Sequence, residues 1–329
     1  MSSQPESGSG RPDVLVHRLR SFALPFLALL RNHFAVLDPC TDSPDSPAHA
    51  FLARRAGHTR ALVCVGPTPV TANDLRVLPS LRVVIGTSAG VDHIDLRECR
   101  RRGIAVTNAG AAFAEDVADY AVALLLDVLR RMSTADRYLR EGLWLKNGDY
   151  PLGFKLGGKR VGIVGLGNIG YLVAKRLQPF SCDIAYNSRS KKPSFPFPHY
   201  SSVHDLAANS DVLILCCALT KETHHLINRE VMTVLGDQGV IINVGRGGLI
   251  DEKELVQFLV RGKLGGAGLD VFENEPNVPK ELFGLDNVVL SPHSAVITPE
   301  SFEALGELTV SNLKAFFSNE PLSCLIQGE

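Results

Sequence analysis

Short apolar runs alternate along the chain with longer, more polar stretches of helix-compatible composition. Val14–Leu19, Ala61–Val65, Leu81–Ile85 and Ile104–Thr107 predict the buried strands of a first α/β layer. From Glu115 the period changes. Val117, Ala121, Leu125, Val128, Leu129 and Met132 recur at three- and four-residue spacing behind Glu115, Asp116 and Asp119. This predicts one long helix, Glu115–Arg140, whose acidic first turn suits the positive end of its dipole. A second strand–helix series follows, with strands expected at Val161–Val164, Ile184–Tyr186, Val212–Cys216, Val240–Val244, Gly268–Val271 and Val288–Leu290. Thr298 then caps, and Pro299 opens, a helix running to about Phe317. Strands separated by helices favour parallel sheets with right-handed crossovers. The expected fold class is therefore α/β, with two Rossmann-like, doubly wound parallel-sheet domains. The final helix is expected to pack back on the first domain. That makes the first domain discontinuous, residues 13–110 plus 297–329, with the second domain, 111–296, inserted into it. Residues 1–12 are Ser/Gly/Pro-rich and expected to be disordered; Thr41–Pro47 is expected to be a loop.

Composition narrows the classes of partner. The 329 residues suit two domains, and 45% hydrophobic with 21% charged residues suits large cores. A formal net charge of −1 gives no global field for nucleic acid or for an anionic membrane, so a small anion would have to be caught by a local site. The seven cysteines are odd in number and lack repeat spacing, which argues against a disulfide framework and against zinc. Residues 1–12 contain no apolar signal core, and the run Phe22–Leu30 is interrupted by Pro25 and too short to span a bilayer. The C-terminus, Ile-Gln-Gly-Glu, is not of the peroxisomal type. The expectation is a reduced, cytoplasmic protein with no membrane and no nucleic acid among its partners.

The best local motif is Gly165-Leu166-Gly167-Asn168-Ile169-Gly170, between an apolar strand and a helical segment reaching Leu177. The first glycine makes the tight turn, the second lets the backbone approach a pyrophosphate, and the third lets helix and strand pack closely. The helix N-terminus offers N–H groups to the phosphates. A lone GxGxxG is a weak signal, but here the flanking strand and helix are both in place. The end of the next strand separates the two nicotinamide cofactors. A site for NAD places an acid about 20 residues beyond the glycines, whereas this chain reads Tyr186-Asn187-Ser188-Arg189-Ser190-Lys191-Lys192. Arg189 can pair with a 2′-phosphate and Ser188 can donate to it; the plainer alternative is a solvated basic loop. NADPH is expected to be preferred, with NADH weaker.

Three polar residues stand just beyond three successive strands of the second series. They are Arg246 in Asn243-Val244-Gly245-Arg246, Glu275 in Asp270-Val271-Phe272-Glu273-Asn274-Glu275-Pro276, and His293 in Ser291-Pro292-His293-Ser294-Ala295. In open α/β sheets ligands bind at the carboxyl ends of strands. Reduction of a 2-oxo acid needs a proton at the carbonyl oxygen as hydride reaches carbon. Imidazole, with an ordinary pKa near roughly 6.5, supplies one at neutral pH. A neighbouring carboxylate favours the protonated ring and orients it, and Arg can grip a substrate carboxylate bidentately. Each residue alone has a bland alternative: a surface charge, a loop acid before Pro276, a satisfied histidine.

Together these motifs resemble the D-isomer-specific 2-hydroxyacid dehydrogenase family, in its plant glyoxylate/hydroxypyruvate reductase branch, from Ser88 to the final helix. The resemblance implies that Arg246 binds the substrate carboxylate and that Glu275 and His293 form the acid/base relay. It implies that Asp270 contacts the nicotinamide amide, that Ser88, Ala89 and Gly90 hold the substrate through backbone N–H groups, and that Asn108 lies near the cofactor. The expected cofactor-binding set is Gly165, Gly167, Asn168, Ile169, Gly170, Asn187, Ser188, Arg189, Ser190, Thr220, Thr223, Val244, Gly245, Arg246, Asp270 and His293. Ser88, Ala89, Gly90, Arg246 and His293 form the substrate set, and no metal is expected. The implied arrangement is a cofactor domain inserted in a substrate domain, with the active site between them and a homodimer built through the region of the long helix. The chain departs from the commonest family pattern at Ala109-Gly110, Ala218 and Ser294-Ala295, which bears on substrate identity more than on reaction type.

The expected reaction is NADPH-dependent reduction of hydroxypyruvate or glyoxylate to D-glycerate or glycolate. One alternative is a reductase of a bulkier 2-oxo acid such as 4-hydroxyphenylpyruvate; a remoter one is a nucleotide-sensing, corepressor-like scaffold of the same fold. His224 and His225 invite a metal reading, but adjacent residues are expected to point apart, with no acidic partner at ligand spacing; His93 is expected to be a loop residue. Trp144, the single Trp, is expected to pack, with a contact to a partner subunit's site as the alternative.

Overall fold

The computed structural model describes residues 10–44, 50–52 and 57–326. The segment expected to be disordered, 1–12, lies outside the described residues except for its last three, as do residues 45–47 of the expected loop. The chain forms two compact units, one running to Phe113 and resuming at Thr298, the other Ala114–Ile297.

The first unit carries a five-stranded sheet of β1 (Asp13–His17), β2 (Ala35–Leu37), β3 (Ala61–Cys64), β4 (Val83–Gly86) and β5 (Ala105–Thr107). The order is β2-β1-β3-β4-β5, parallel throughout. Its core gathers Leu15, Leu62, Val84 and Val106 from the strands with Leu75, Leu78 and Leu81 from the connections. The helix Pro299–Phe317 belongs to this unit and forms as expected. Thr298 Oγ1 accepts the Ser301 N–H at 3.0 Å, Pro299 occupies the first turn where its missing N–H costs nothing, and Gly306 lets Phe26 approach closely. β1 ends two residues earlier than expected, because Arg18 turns away to pair with the buried Asp38 at 2.8 Å and Leu19 is exposed. Part of the expected loop is a short helix, Pro39–Asp42, because Asp38 caps it by accepting the Cys40 N–H.

The second unit carries seven parallel strands. They are β6 (Arg160–Val164), β7 (Asp183–Asn187), β8 (His199–Tyr200), β9 (Val212–Leu215), β10 (Val240–Asn243), β11 (Gly266–Leu269) and β12 (Val288–Leu290), in the order β12-β11-β10-β9-β6-β7-β8. The chain winds outward in both directions from β6, so the order reverses between β6 and β9, where doubly wound sheets bind ligands. Register aligns Val164 with Leu215, Leu215 with Asn243, Asn243 with Leu269 and Leu269 with Leu290. The residues that leave these strands therefore emerge in one row.

Two expectations are corrected. β11 starts two residues earlier than its apolar run indicated. Gly266 and Gly268 look like breakers, yet they face Val128 and Leu124 so closely that a side chain would collide, at 2.7 and 3.1 Å. The glycines admit the helix Ala114–Arg130 onto the strand. The single long helix is in fact broken: Ala114–Arg130 ends, Arg131 takes a left-handed conformation at φ 55°, and Met132–Arg140 and Leu143–Asn147 follow as separate helices. The hydrophobic period carried no trace of this break, because Met132 keeps the spacing while changing direction. Its side chain is exposed, whereas Val117, Ala121, Leu125, Val128 and Leu129 are buried. No helix among the described residues is long and apolar enough to cross a membrane.

Candidate active site

All the candidate residues of the second unit sit at the row of strand ends. Gly165 follows β6 at φ +96° and packs against Cys217, the second residue beyond β9; a Cβ there would lie 2.6 Å from the Cys217 nitrogen. Gly170 lies in the first turn of the helix Asn168–Leu177, and a Cβ there would sit 2.1 Å from the Gly165 carbonyl oxygen. Gly167 instead faces open space and is the N-cap, with no side chain capping the helix. The three glycines thus serve turn, approach and packing. The helix end leaves its first N–H groups to an outside acceptor, which fits a pyrophosphate.

The basic turn after β7 is more tightly built than the sequence indicated. The Asn187 amide donates to the Tyr200 carbonyl at 2.9 Å, and the Asn187 carbonyl accepts the Gly165 N–H at 2.9 Å. Ser188 Oγ donates to the Ser190 carbonyl at 2.7 Å. Lys192, which the sequence reading did not single out, donates from Nζ to the Leu166 carbonyl at 2.6 Å, inside the glycine motif. The buried hydroxyl of Tyr186 receives the Lys192 N–H at 2.7 Å. Among the described residues no carboxylate lies within Tyr186–Lys192, so nothing in this turn repels a 2′-phosphate. Thr220 and Thr223 bond each other beyond β9, the Thr220 N–H donating to Thr223 Oγ1 at 2.7 Å.

At the ends of β10, β11 and β12 the structure brings Arg246, Glu275 and His293 together. Arg246 is held in extended backbone by Asn243, a buried Asn that accepts the Gly245 N–H at 3.0 Å and donates to the Arg246 carbonyl at 2.9 Å. The sequence reading passed over Asn243. The visible signal was a polar residue closing the apolar strand Val240–Asn243. Glu275 Oε2 lies 2.9 Å from His293 Nδ1, and Glu275 Oε1 accepts the Phe272 N–H at 3.0 Å. Burial alone would push the Glu275 carboxyl up. The hydrogen bond and charge of His293, the Phe272 N–H and the Arg246 charge together outweigh it and hold its pKa below the ordinary carboxylate value. An ionised carboxylate only accepts, so His293 Nδ1 carries the proton of that bond, which leaves Nε2 outside it.

Asp270 anchors the turn that carries His293. Its buried carboxylate accepts the Ser291 hydroxyl at 2.7 Å and the N–H groups of Ser294 and Ala295 at 2.8 and 3.1 Å. Its carbonyl accepts the His293 N–H at 2.8 Å. His293 itself has φ 52°, a strained conformation of the kind that clusters at working sites. The Ser294 and Tyr120 hydroxyls are 2.9 Å apart.

In the first unit, Ser88, Ala89 and Gly90 form the loop after β4. Ser88 Oγ donates to the Gly90 carbonyl at 2.8 Å, and Asn108 donates to the Ala89 carbonyl at 2.9 Å. The expectation for the paired histidines is corrected. The His224 and His225 rings stack, with centroids 3.9 Å apart and planes inclined by 23°, and His225 Nε2 lies 2.8 Å from Glu273 Oε1. The left-handed backbone of His225, at φ 52°, accompanies the stacking, and the acidic partner was hidden by its distance in sequence. Trp144 is 63% exposed and does not pack into its unit.

Residues 122–295 match the family described as D-isomer specific 2-hydroxyacid dehydrogenase, NAD binding domain. The chain is 58% identical to a glyoxylate/hydroxypyruvate reductase of Arabidopsis thaliana over 96% of this chain and 97% of that one. It is 51% identical to a hydroxyphenylpyruvate reductase of Plectranthus scutellarioides over 83% and 87%. Among solved structures it resembles the NADPH-dependent glyoxylate/hydroxypyruvate reductase of Sinorhizobium meliloti in complex with NADP and malonate. There the TM-score is 0.88 at 36% identity, covering 96% of this chain and 97% of that one. An NAD-binding domain whose glycine turn opens on a bare helix end, joined to relatives of this identity and coverage, settles the family: the chain belongs to the D-isomer-specific 2-hydroxyacid dehydrogenases.

Proposed function

We propose that the protein reduces small 2-oxo acids, hydroxypyruvate and glyoxylate, to D-glycerate and glycolate, with NADPH preferred over NADH. The observation that carries this reading is the 2.9 Å His293–Glu275 pair, with the Arg246 charge acting on Glu275. A nicotinamide cofactor, when bound, supplies the hydride. Arg246 grips the substrate carboxylate and turns the carbonyl towards reduction. His293 Nε2 gives its proton to the carbonyl oxygen, and Glu275 keeps the ring oriented. Gly165, Gly167, Asn168, Ile169 and Gly170 hold the pyrophosphate; Ser188, Arg189 and Ser190 hold the 2′-phosphate. Asn187, Thr220, Thr223, Val244, Gly245 and Asp270 complete the cofactor contacts. Ser88, Ala89 and Gly90 add backbone N–H groups to the substrate carboxylate, making residues 13–110 with 297–329 the substrate domain and 111–296 the cofactor domain.

The names of the relatives in Arabidopsis and Sinorhizobium support this substrate class. The relative named hydroxyphenylpyruvate reductase favours a second reading, a bulkier aromatic 2-oxo acid. Turnover with hydroxypyruvate, glyoxylate and 4-hydroxyphenylpyruvate, each with NADPH and NADH, tests both. Higher kcat/KM for the aromatic acid replaces the first reading by the second. In the same assay Arg189→Ala raises the KM for NADPH about tenfold or more and that for NADH little, since one charge-assisted contact to phosphate is lost. Equal effects on both would sink the NADPH assignment.

A homodimer is supported by Met132, Leu139, Trp144 and Leu145, large apolar side chains exposed on neighbouring short helices. Light scattering is expected to give about twice the chain mass of 35.6 kDa; a monomer overturns the dimer. Seven free thiols fit a reducing compartment such as the cytoplasm.

A further inference from the structure

We propose that Glu252 and His225 are positioning residues of the relay, gripping the Phe272–Glu275 turn from outside so that Glu275 meets His293. This inference rests on the relay role proposed above for those two residues.

The turn leaves β11 and carries two carboxylates two residues apart, Glu273 and Glu275. It closes on itself by the Phe272 N–H to Glu275 Oε1 and by the Asn277 N–H to the Asn274 carbonyl at 2.8 Å. The remaining restraint comes from neighbours. The Glu273 N–H donates to Glu252 Oε2 at 3.0 Å, across 21 residues of sequence. Glu273 Oε1 lies 2.8 Å from His225 Nε2, across 48 residues. Gly247, next to Arg246, presses flat on the Phe272–Glu273 peptide, so that a Cβ there would fall 1.8 Å from the Phe272 carbonyl carbon. Backbone, side chain and peptide face of Glu273 are each held, and Glu275 is one short step away.

The charges show that this arrangement is not the cheapest one. Glu252, the first residue of the helix Glu252–Val260, is partly buried close to two other acids. Burial first, then repulsion by Glu273 and Glu275, push its carboxyl up, against the stabilising Glu273 N–H. Its carboxylate stands in the first turn of its helix and holds the Glu273 main chain across 21 residues of sequence. His225 adds a second imidazole–carboxylate pair beside the first. Its own N–H is tied to the Gly248 carbonyl at 2.8 Å, and its Nδ1 lies 4.0 Å from Asp251 Oδ2. The titratable and charged groups around the turn are thus Asp251, Glu252, Glu273 and Glu275, faced by His224, His225, His293 and Arg246. Side chains that do chemistry need such support to within a fraction of an ångström.

The test compares Glu252→Ala, Glu252→Gln and His225→Asn with His293→Gln, reading kcat, NADPH affinity by fluorescence titration, and the pH profile. Asn is chosen at 225 because it tolerates left-handed backbone. Glu252→Ala is expected to lower kcat about tenfold or more with NADPH affinity unchanged, the size expected of a small misplacement. Glu252→Gln, whose amide oxygen still accepts the Glu273 N–H, is expected to recover kcat to within about threefold of wild type. In Glu252→Gln the alkaline loss of reduction moves to lower pH, because one negative charge favouring the protonated relay is gone. His225→Asn is expected to lower kcat with NADPH affinity unchanged. Wild-type kcat and pH profile in Glu252→Ala, with His293→Gln inactive, overturns the positioning role and leaves the relay standing. Activity retained in His293→Gln overturns the relay itself. If Glu252→Ala fails to bind NADPH, the other two variants decide: a wild-type pH profile in Glu252→Gln with wild-type kcat in His225→Asn refutes the proposal.

Discussion

His293→Gln lowers kcat for hydroxypyruvate by about 100-fold or more, the scale of a lost general acid, with NADPH affinity near wild type. Gln matches the ring in reach and keeps hydrogen-bonding groups towards Glu275, but it has no proton to give at neutral pH. The loss is therefore chemical, not steric. The left-handed conformation at φ 52° is held by the His293 N–H on the Asp270 carbonyl and by the Asp270 carboxylate on the next two N–H groups, and NADPH affinity near wild type checks that the turn keeps it in the variant. A second signature follows from Glu275. Its carboxyl is held below the ordinary range with the imidazole as partner. A depressed folded-state value contributes stability above the unfolded pKa, lost as pH falls through the folded one. Removing the imidazole lets that value rise, so the variant loses this stability at a higher pH than wild type does. Stopped-flow hydride transfer and acid unfolding read the two effects separately. Wild-type turnover in the variant would remove His293 from the chemistry.

Gly247→Ala is expected to be the most damaging one-methyl change near the site. A Cβ there would lie 1.8 Å from the Phe272 carbonyl carbon and 2.2 Å from the Glu273 nitrogen. Both are backbone, so neither can rotate aside. Overpacking of this kind costs roughly 1–3 kcal/mol, and here the displaced peptide, Phe272–Glu273, begins the turn that carries Glu275. Gly248→Ala is the natural control, since its Cβ would meet the Leu219 side chain at 3.2 Å, which can shift. Thermal unfolding and kcat should both fall in the first variant and stay near wild type in the second. Equal behaviour of the two would mean that the relay turn is softer than its packing indicates.

The strand–helix alternation was readable because parallel strands buried on both faces are nearly continuous apolar runs, and ten of the twelve strands announced themselves this way. β8 has only two residues, and β2 is half-buried throughout, so neither stands out as a buried apolar run. The break at Arg131 escaped because a helical period cannot report a change of axis. The candidate residues just beyond strands, Gly165, Arg246 and His293, could be picked out by position, while the roles expected of Arg246 and His293 came from the family resemblance. Their supports were not legible in this way. Asn243 looks like the end of a strand, Glu252 like an ordinary first-turn acid, and His225 like a surface residue. Glu252 and His225 meet partners 21 and 48 residues away, a distance no local pattern encodes, and Asn243 bonds a main-chain carbonyl three residues on, which a reading of apolar runs does not register.

The way Asp270 holds the His293 turn has a bearing on how this scaffold can change. Three of its four bonds to that turn are taken from main-chain N–H groups, those of His293, Ser294 and Ala295, and only one from a side chain, Ser291. A peptide group is the same whatever residue bears it. The side chain at 294 can therefore be exchanged without loosening the histidine beside it. On the proposed reading, residues beside His293 can vary in sequence while Asp270, through its carbonyl and its carboxylate, keeps the main chain of that turn in place.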